Sequence, residues 1–135
     1  MIAIADTGFL VAFLNSHDEH HEWAVALARR VTEPLLTCEA VLVEAAYLLN
    51  SPSLVMKAVA SDLVVVEFNL TANHSHLAEL AARFSDQQPD LCDLCVVRMS
   101  ELFPDHHVIT TDRRDFAVYR RNKRDVIPVV LPPGK

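Results

Sequence analysis

The sequence predicts an α/β fold built on a mainly parallel sheet covered on both faces. Three observations carry that prediction. Short apolar runs (Ile2 to Ala5, Leu63 to Val66, Val108 to Thr110) alternate with longer helical patterns, the signature of βαβ units. The first run carries no charge, as a strand buried on both faces requires. Asp6 follows that run at once, at the strand end where open α/β sheets place their ligands.

Each element has a local reason. Thr7 to Leu14 reads as a short helix, with Phe9, Leu10, Phe13 and Leu14 on its apolar side. Ser16-His17-Asp18-Glu19 has the Ser-x-x-Glu form of a capping box and predicts the start of a second helix. Trp23, Leu27 and Val31 would face inward on it, and Pro34 would break it. Leu35-Leu36 reads as a short strand, and Thr37 as the cap of a third helix reaching Leu49. Leu42, Ala45, Ala46 and Leu49 hold one face of that helix. Ser51-Pro52 reads as a cap with proline at the first helical position, opening a helix to Ala60.

Leu63 to Val66 is a strand by its β-branched content. From Thr71, the spacing of Leu77, Leu80, Ala81 and Phe84 predicts an amphipathic helix. Gln87-Gln88-Pro89 is a turn, and a helix is expected from Asp90 to Leu102, ahead of Pro104. Val108 to Thr110 forms the next strand. Asp112 starts a short basic helix, and Ile127 to Leu131 a final edge strand. One domain over 1–131 is expected, with 132–135 as a loose tail.

The 135 residues are 51% hydrophobic and 22% charged, which is ordinary for a soluble globular domain. Two glycines leave no glycine-rich phosphate loop. A net charge of −6 gives no bulk attraction to nucleic acid. The first residues lack a basic region, Asp6 interrupts the apolar run, and no stretch is long enough to span a bilayer. A cytoplasmic protein without membrane contact is expected. Cys38, Cys92 and Cys95 are an odd number. Their setting within apolar helical sequence predicts buried, reduced thiols rather than a zinc or redox site. His17, His20 and His21 lie in a polar cap region and read as exposed side chains.

Four acids interrupt apolar or strand-terminal sequence: Asp6 (IAIADTGF), Glu44 (VLVEAAYLL), Asp93 (LCDLCVV) and Asp112 (VITTDRRDF). A buried carboxylate needs a partner, and few basic residues lie near the first three. A hard divalent cation, Mg²⁺ or Mn²⁺, would compensate all four together. Plainer roles are also open, Asp6 as a helix cap and Glu44 as a solvated side chain or a salt-bridge partner. Asp90 and Asp115, taken singly, read as structural: each fits a pattern of a capping acid and an acid three residues later.

These segments resemble PIN domains, in order and over nearly the whole chain, and among them the VapC-type toxins of bacterial toxin–antitoxin pairs. The opening Asp-Thr-Gly and the closing Thr-x-Asp-x-x-x-Phe type segment are the more specific motifs. The resemblance implies a three-layer α/β/α sandwich and a metal-dependent endoribonuclease. It matches the family's first, second and fourth acids to Asp6, Glu44 and Asp112. The third is matched best by Asp93. Leu94 stands where an alanine is common, and Asp90 is the alternative. Asp6 and Asp93 would be leading ligands of Mg²⁺ or Mn²⁺, with Glu44 and Asp112 completing the site. Thr7 or Thr111 would help hold a metal-bound water.

The implied partners are an RNA substrate, a cognate antitoxin and a second copy of the chain. Phe9, Phe13 and Trp23 offer an apolar interface if they are not core. Six of the twelve basic residues lie between Arg113 and Arg124, a segment expected either to meet RNA phosphates or to be an ordinary solvated helix. A haloacid-dehalogenase-like phosphatase would carry Asp-x-Asp after the first strand, and a receiver domain a lysine after a late one; the chain has neither. Two rival functions remain: a catalytically idle PIN-like module binding RNA or protein, and a housekeeping RNA-processing nuclease.

Overall fold

The computed structural model describes residues 1–134. Its centre is a five-stranded parallel sheet of β1 (Ala3–Ala5), β2 (Leu35–Thr37), β3 (Val64–Val66), β4 (His107–Ile109) and β7 (Val129–Val130). The spatial order is β3-β2-β1-β4-β7. The chain therefore builds outward from β1 in one direction, returns, and builds outward from β4 in the other. The switch point of the sheet lies at the β1–β4 pair, beyond whose strand ends such a topology opens a crevice.

The apolar runs become strands because they are covered on both faces. Ala3, Ile4 and Ala5 are at most 1% exposed. Among the described residues, seven α-helices flank the sheet in the α/β/α arrangement: α1 (Thr7–Leu14), α2 (His21–Ala28), α3 (Glu39–Leu49), α4 (Pro52–Ala60), α5 (His74–Arg83), α6 (Leu91–Leu102) and α7 (Arg113–Val118). Helix α1 packs on α2 and α3, and α3 packs on α6. Phe9 and Leu10 on α1 are fully buried, as are Val41, Val96 and Ile109.

Several capping assignments hold. The hydroxyl of Ser51 accepts from the Leu54 N–H, and Asp90 accepts from the Asp93 N–H at 2.7 Å. The capping box at Ser16 does not form. The Asn15 and Asp18 side chains instead accept from the backbone of His17 and His20, which stabilises turns and delays α2 until His21. Thr37 is the last residue of β2 rather than a cap, and its hydroxyl donates to the Ala5 carbonyl at 3.1 Å. Ala81, expected on the inner face of α5, is exposed. The predicted basic helix is short. It ends at Val118 and gives way to an antiparallel hairpin of β5 (Arg120–Arg121) and β6 (Asp125–Val126). Pro132, placed in the tail by the sequence, is buried, and its carbonyl accepts from Arg113; Lys135 lies outside the described residues.

Candidate active site

Asp6 is the residue at which β1 stops and α1 starts. Its backbone is extended and its Oδ1 accepts from the Thr7 N–H at 2.8 Å. The cap role read from the sequence is therefore real, but it uses only one oxygen. The other, Oδ2, accepts a 2.6 Å bond from the Thr110 hydroxyl, one residue beyond β4. Asp6 is 5% exposed and Thr110 is fully buried. Burial pushes the Asp6 carboxyl up to about 6; the two hydrogen bonds oppose this, and the charges of Glu44 and Asp112 add to it.

Thr110 also accepts at Oγ1 from the Asp112 N–H at 3.0 Å. Its one proton is thereby directed to Asp6, and its oxygen fixes the start of the segment that carries Asp112. The sequence points to the neighbours Thr7 and Thr111, as holders of a water, and gives Thr110 no role. Thr7 faces the Cys92 sulfur at 3.6 Å. The overlooked signal was a threonine closing an otherwise apolar strand.

Gly8 explains how α1 comes so close to this segment. A methyl group there would lie 1.9 Å from Thr111 Oγ1 and 3.0 Å from its Cβ. Gly8→Ala gains helix propensity of about 1 kcal/mol but overpacks by about 1–3 kcal/mol. A net loss of up to about 2 kcal/mol is expected by urea denaturation. Thr111→Ala in the same chain should recover most of it; absence of recovery would show that the clash is elsewhere.

Three further carboxylates meet across the crevice. Oxygens of Asp93, Asp112 and Asp115 lie within 4.8 Å of one another. Asp93 comes from the first turn of α6, and the other two from the start of α7. Asp112 is also the cap of α7, accepting from the Asp115 N–H at 3.0 Å. Burial pushes Asp93 up to about 7, the charges of Asp90, Asp6 and Asp112 add to this, and a hydrogen bond from Tyr119 opposes it. Burial, and then the Asp112 carboxylate, raise Asp115 as well.

Glu44, half-buried in the middle of α3, stands outside this triad, yet near enough for its charge to bear on Asp6. Asp90 is exposed and occupied in capping α6. Asp115 was read as structural from the sequence, and the fold brings it into the acidic cluster. The donors are all carboxylate oxygens, packed more closely than their mutual repulsion favours. That chemistry fits a hard divalent cation such as Mg²⁺ or Mn²⁺ and offers nothing to a soft one.

The other sequence candidates fall away from this centre. Cys38, Cys92 and Cys95 are free and buried, as expected, and burial raises the Cys92 thiol. His21 donates from Nδ1 to the Ala12 carbonyl at 2.8 Å, which ties α2 to α1. Phe9 is core, packed against Phe13 and Trp23, so it is no interface residue. The basic run is divided. Arg120 binds the carbonyls of Ala117, Val118 and Tyr119 at the end of α7. Arg121 binds those of Ser100 and Pro104, and Arg113 that of Pro132. Arg114, Lys123 and Arg124 are exposed and have no such partner among the described residues.

The family model for the PIN domain matches residues 3–122. Among solved structures, the chain is similar to VapC20 of Mycobacterium tuberculosis, described as a toxin that cleaves the sarcin-ricin loop. The two superpose with a TM-score of 0.72 at 19% identity, over 87% of this chain and 95% of that one. That likeness is one of fold. A search of curated proteins finds no match.

Proposed function

The chain belongs to the PIN domain family, and we propose from that premise that it is a metal-dependent endoribonuclease, the toxin of a toxin–antitoxin pair. The observation that carries this reading is the meeting of acids at the switch point of the sheet. Asp93 from α6 meets Asp112 and Asp115 from the start of α7, and Asp6, just after β1, is near enough for its charge to bear on Asp93. Asp93, Asp112 and Asp115 would hold Mg²⁺ or Mn²⁺, with Asp6 and Glu44 at its flank. A cation held there supplies positive charge to a scissile phosphate and acidifies a water.

The chain's own residues set up this chemistry. Thr110 and the Thr7 N–H fix both oxygens of Asp6. Burial raises the Asp6 and Asp93 carboxyls to about 6 and about 7, and each would face a cation in its ionised form. The sarcin-ricin loop cleavage stated for VapC20 supports RNA as the substrate class. An antitoxin would find apolar surface on α3, where Val43 and Tyr47 are 70% and 82% exposed on the helix that carries Glu44. No described helix is long and apolar enough to cross a membrane; we read the protein as cytoplasmic.

The test is cleavage of a mixed structured RNA pool in Mg²⁺, Mn²⁺ or EDTA, with Asp93→Asn alongside. Cleavage that needs the metal and is lost in the variant supports the reading. Mn²⁺ binding without turnover on any RNA would favour a binding module instead.

The divided basic run gives a second expectation. Replacing Arg114, Lys123 and Arg124 together with alanine should lower the salt slope of RNA binding by about 2, at roughly 0.7 per single-strand phosphate contact. Stability should change by less than about 0.5 kcal/mol, as for surface substitutions. Arg121→Ala should do the reverse, costing about 1–2 kcal/mol through the carbonyls it abandons. An unchanged salt slope in the triple variant would remove these three from the RNA interface.

A further inference from the structure

Tyr119 follows α7 directly and is 1% exposed. Its ring meets Phe84 edge-on at 5.3 Å and Phe116 at 5.4 Å. A buried phenol needs a partner for its hydroxyl. Here the hydroxyl donates to Oδ2 of Asp93 at 3.0 Å. The ring is fixed independently of that bond. The Tyr119 N–H donates to the Asp115 carbonyl, and Arg120 holds the Tyr119 carbonyl. Packing and backbone thus set the tyrosine, and the carboxylate adjusts to it. Helix α7 therefore opens with two of the three clustered acids and delivers, at its end, the hydroxyl that grips the third.

We propose that Tyr119 is a positioning residue, holding the Asp93 carboxylate toward Asp112 and Asp115 and so setting the cation affinity of the cluster. The proposal rests on the reading of that cluster as a cation site. A phenol suits the task because it is neutral: it orients an acid without competing with the cation, as a lysine or arginine would. An ionised carboxylate has about four acceptor positions, so one bond from Tyr119 leaves the others open. Partners that orient metal ligands typically account for about 10–100-fold in affinity.

The experiment is Mn²⁺ titration of the metal-free full chain, followed by calorimetry, with the unfolding midpoint measured in parallel. Tyr119→Phe removes the hydroxyl and leaves the ring between Phe84 and Phe116. It should bind Mn²⁺ about 10-fold more weakly than wild type, the lower end of that range, with little change in midpoint. Phe84→Leu loosens the same packing and keeps the hydroxyl. It should lower the midpoint and leave Mn²⁺ affinity within about twofold, since it touches no partner of a ligand. Wild-type affinity in Tyr119→Phe overturns the proposal, as does an equal weakening in Phe84→Leu. If the wild-type chain binds no Mn²⁺, or Asp93→Asn binds it unchanged, the cation-site reading itself fails and the proposal falls with it.

Discussion

Asp6→Asn is expected to lose RNA cleavage by more than about 100-fold, because even partners that only orient a metal ligand account for 10–100-fold. The same variant is expected to make the metal-free protein more stable at pH 7. The asparagine oxygen still accepts from the Thr7 N–H, and its amide can donate to the Thr110 oxygen, which leaves only the Thr110 hydroxyl proton without its acceptor. What disappears is a buried charge. The folded-state pKa of Asp6 is raised from 3.8 to about 6. A raised carboxyl destabilises the folded state once it ionises. Its full stability is present below about pH 4 and is lost as pH rises through about 6. Two units correspond to about 3 kcal/mol as an upper figure.

Chemical denaturation of both proteins in EDTA from pH 4 to 7.5 measures this difference directly. The variant should gain on wild type across that window, and Mn²⁺ should restore wild type alone. A variant less stable than wild type at pH 7 would mean that Asp6 serves the fold rather than the cation. Asp93, raised to about 7, should shift in the same direction and at slightly higher pH.

Thr110→Val should be the most damaging change of similar shape. The valine fills the same fully buried space but neither donates nor accepts. Asp6 Oδ2 loses its 2.6 Å donor, and the Asp112 N–H loses its acceptor. Each buried group left unpaired costs about 1–3 kcal/mol, more when charged. A loss of about 3–5 kcal/mol is expected at pH 7.5, again without metal. At pH 4.5 the loss should be smaller, because the Asp6 carboxyl is then mostly protonated and the unpaired oxygen carries no charge. Thr110→Ser keeps the hydroxyl and should recover most of the stability. An equal loss at both pH values would show that the bond to Asp6 is not what matters.

Local pattern was enough to read most elements of this chain. The apolar run before Asp6, the Ser51-Pro52 start and the Asp90 and Asp112 caps all depend on neighbours within four residues. Such signals stay valid whatever the rest of the chain does. Where they failed, a distant group competed for the same residue. Thr37 spends its hydroxyl on Ala5 of the adjacent strand rather than on a helix start. The run from Arg113 to Arg124 looked like one charged helix. Its arginines instead donate to carbonyls near the ends of α6 and α7, and the chain folds back there as a hairpin.

The sequence alone determined the order of the central strands and the helices and marked Asp6, Glu44, Asp93 and Asp112 as acids in apolar or strand-terminal sequence, because both depend on short-range pattern and on the cost of burying charge. It could not determine which acids meet, because that depends on strand order. Asp6 and Thr110 are 104 positions apart and become neighbours only because β1 pairs with β4. That pairing sets the switch point, and α7 starts just beyond it. The start of α7 then turns Asp115 from a first-turn acid into a member of the cluster, while its far end brings the hydroxyl of Tyr119 to Asp93.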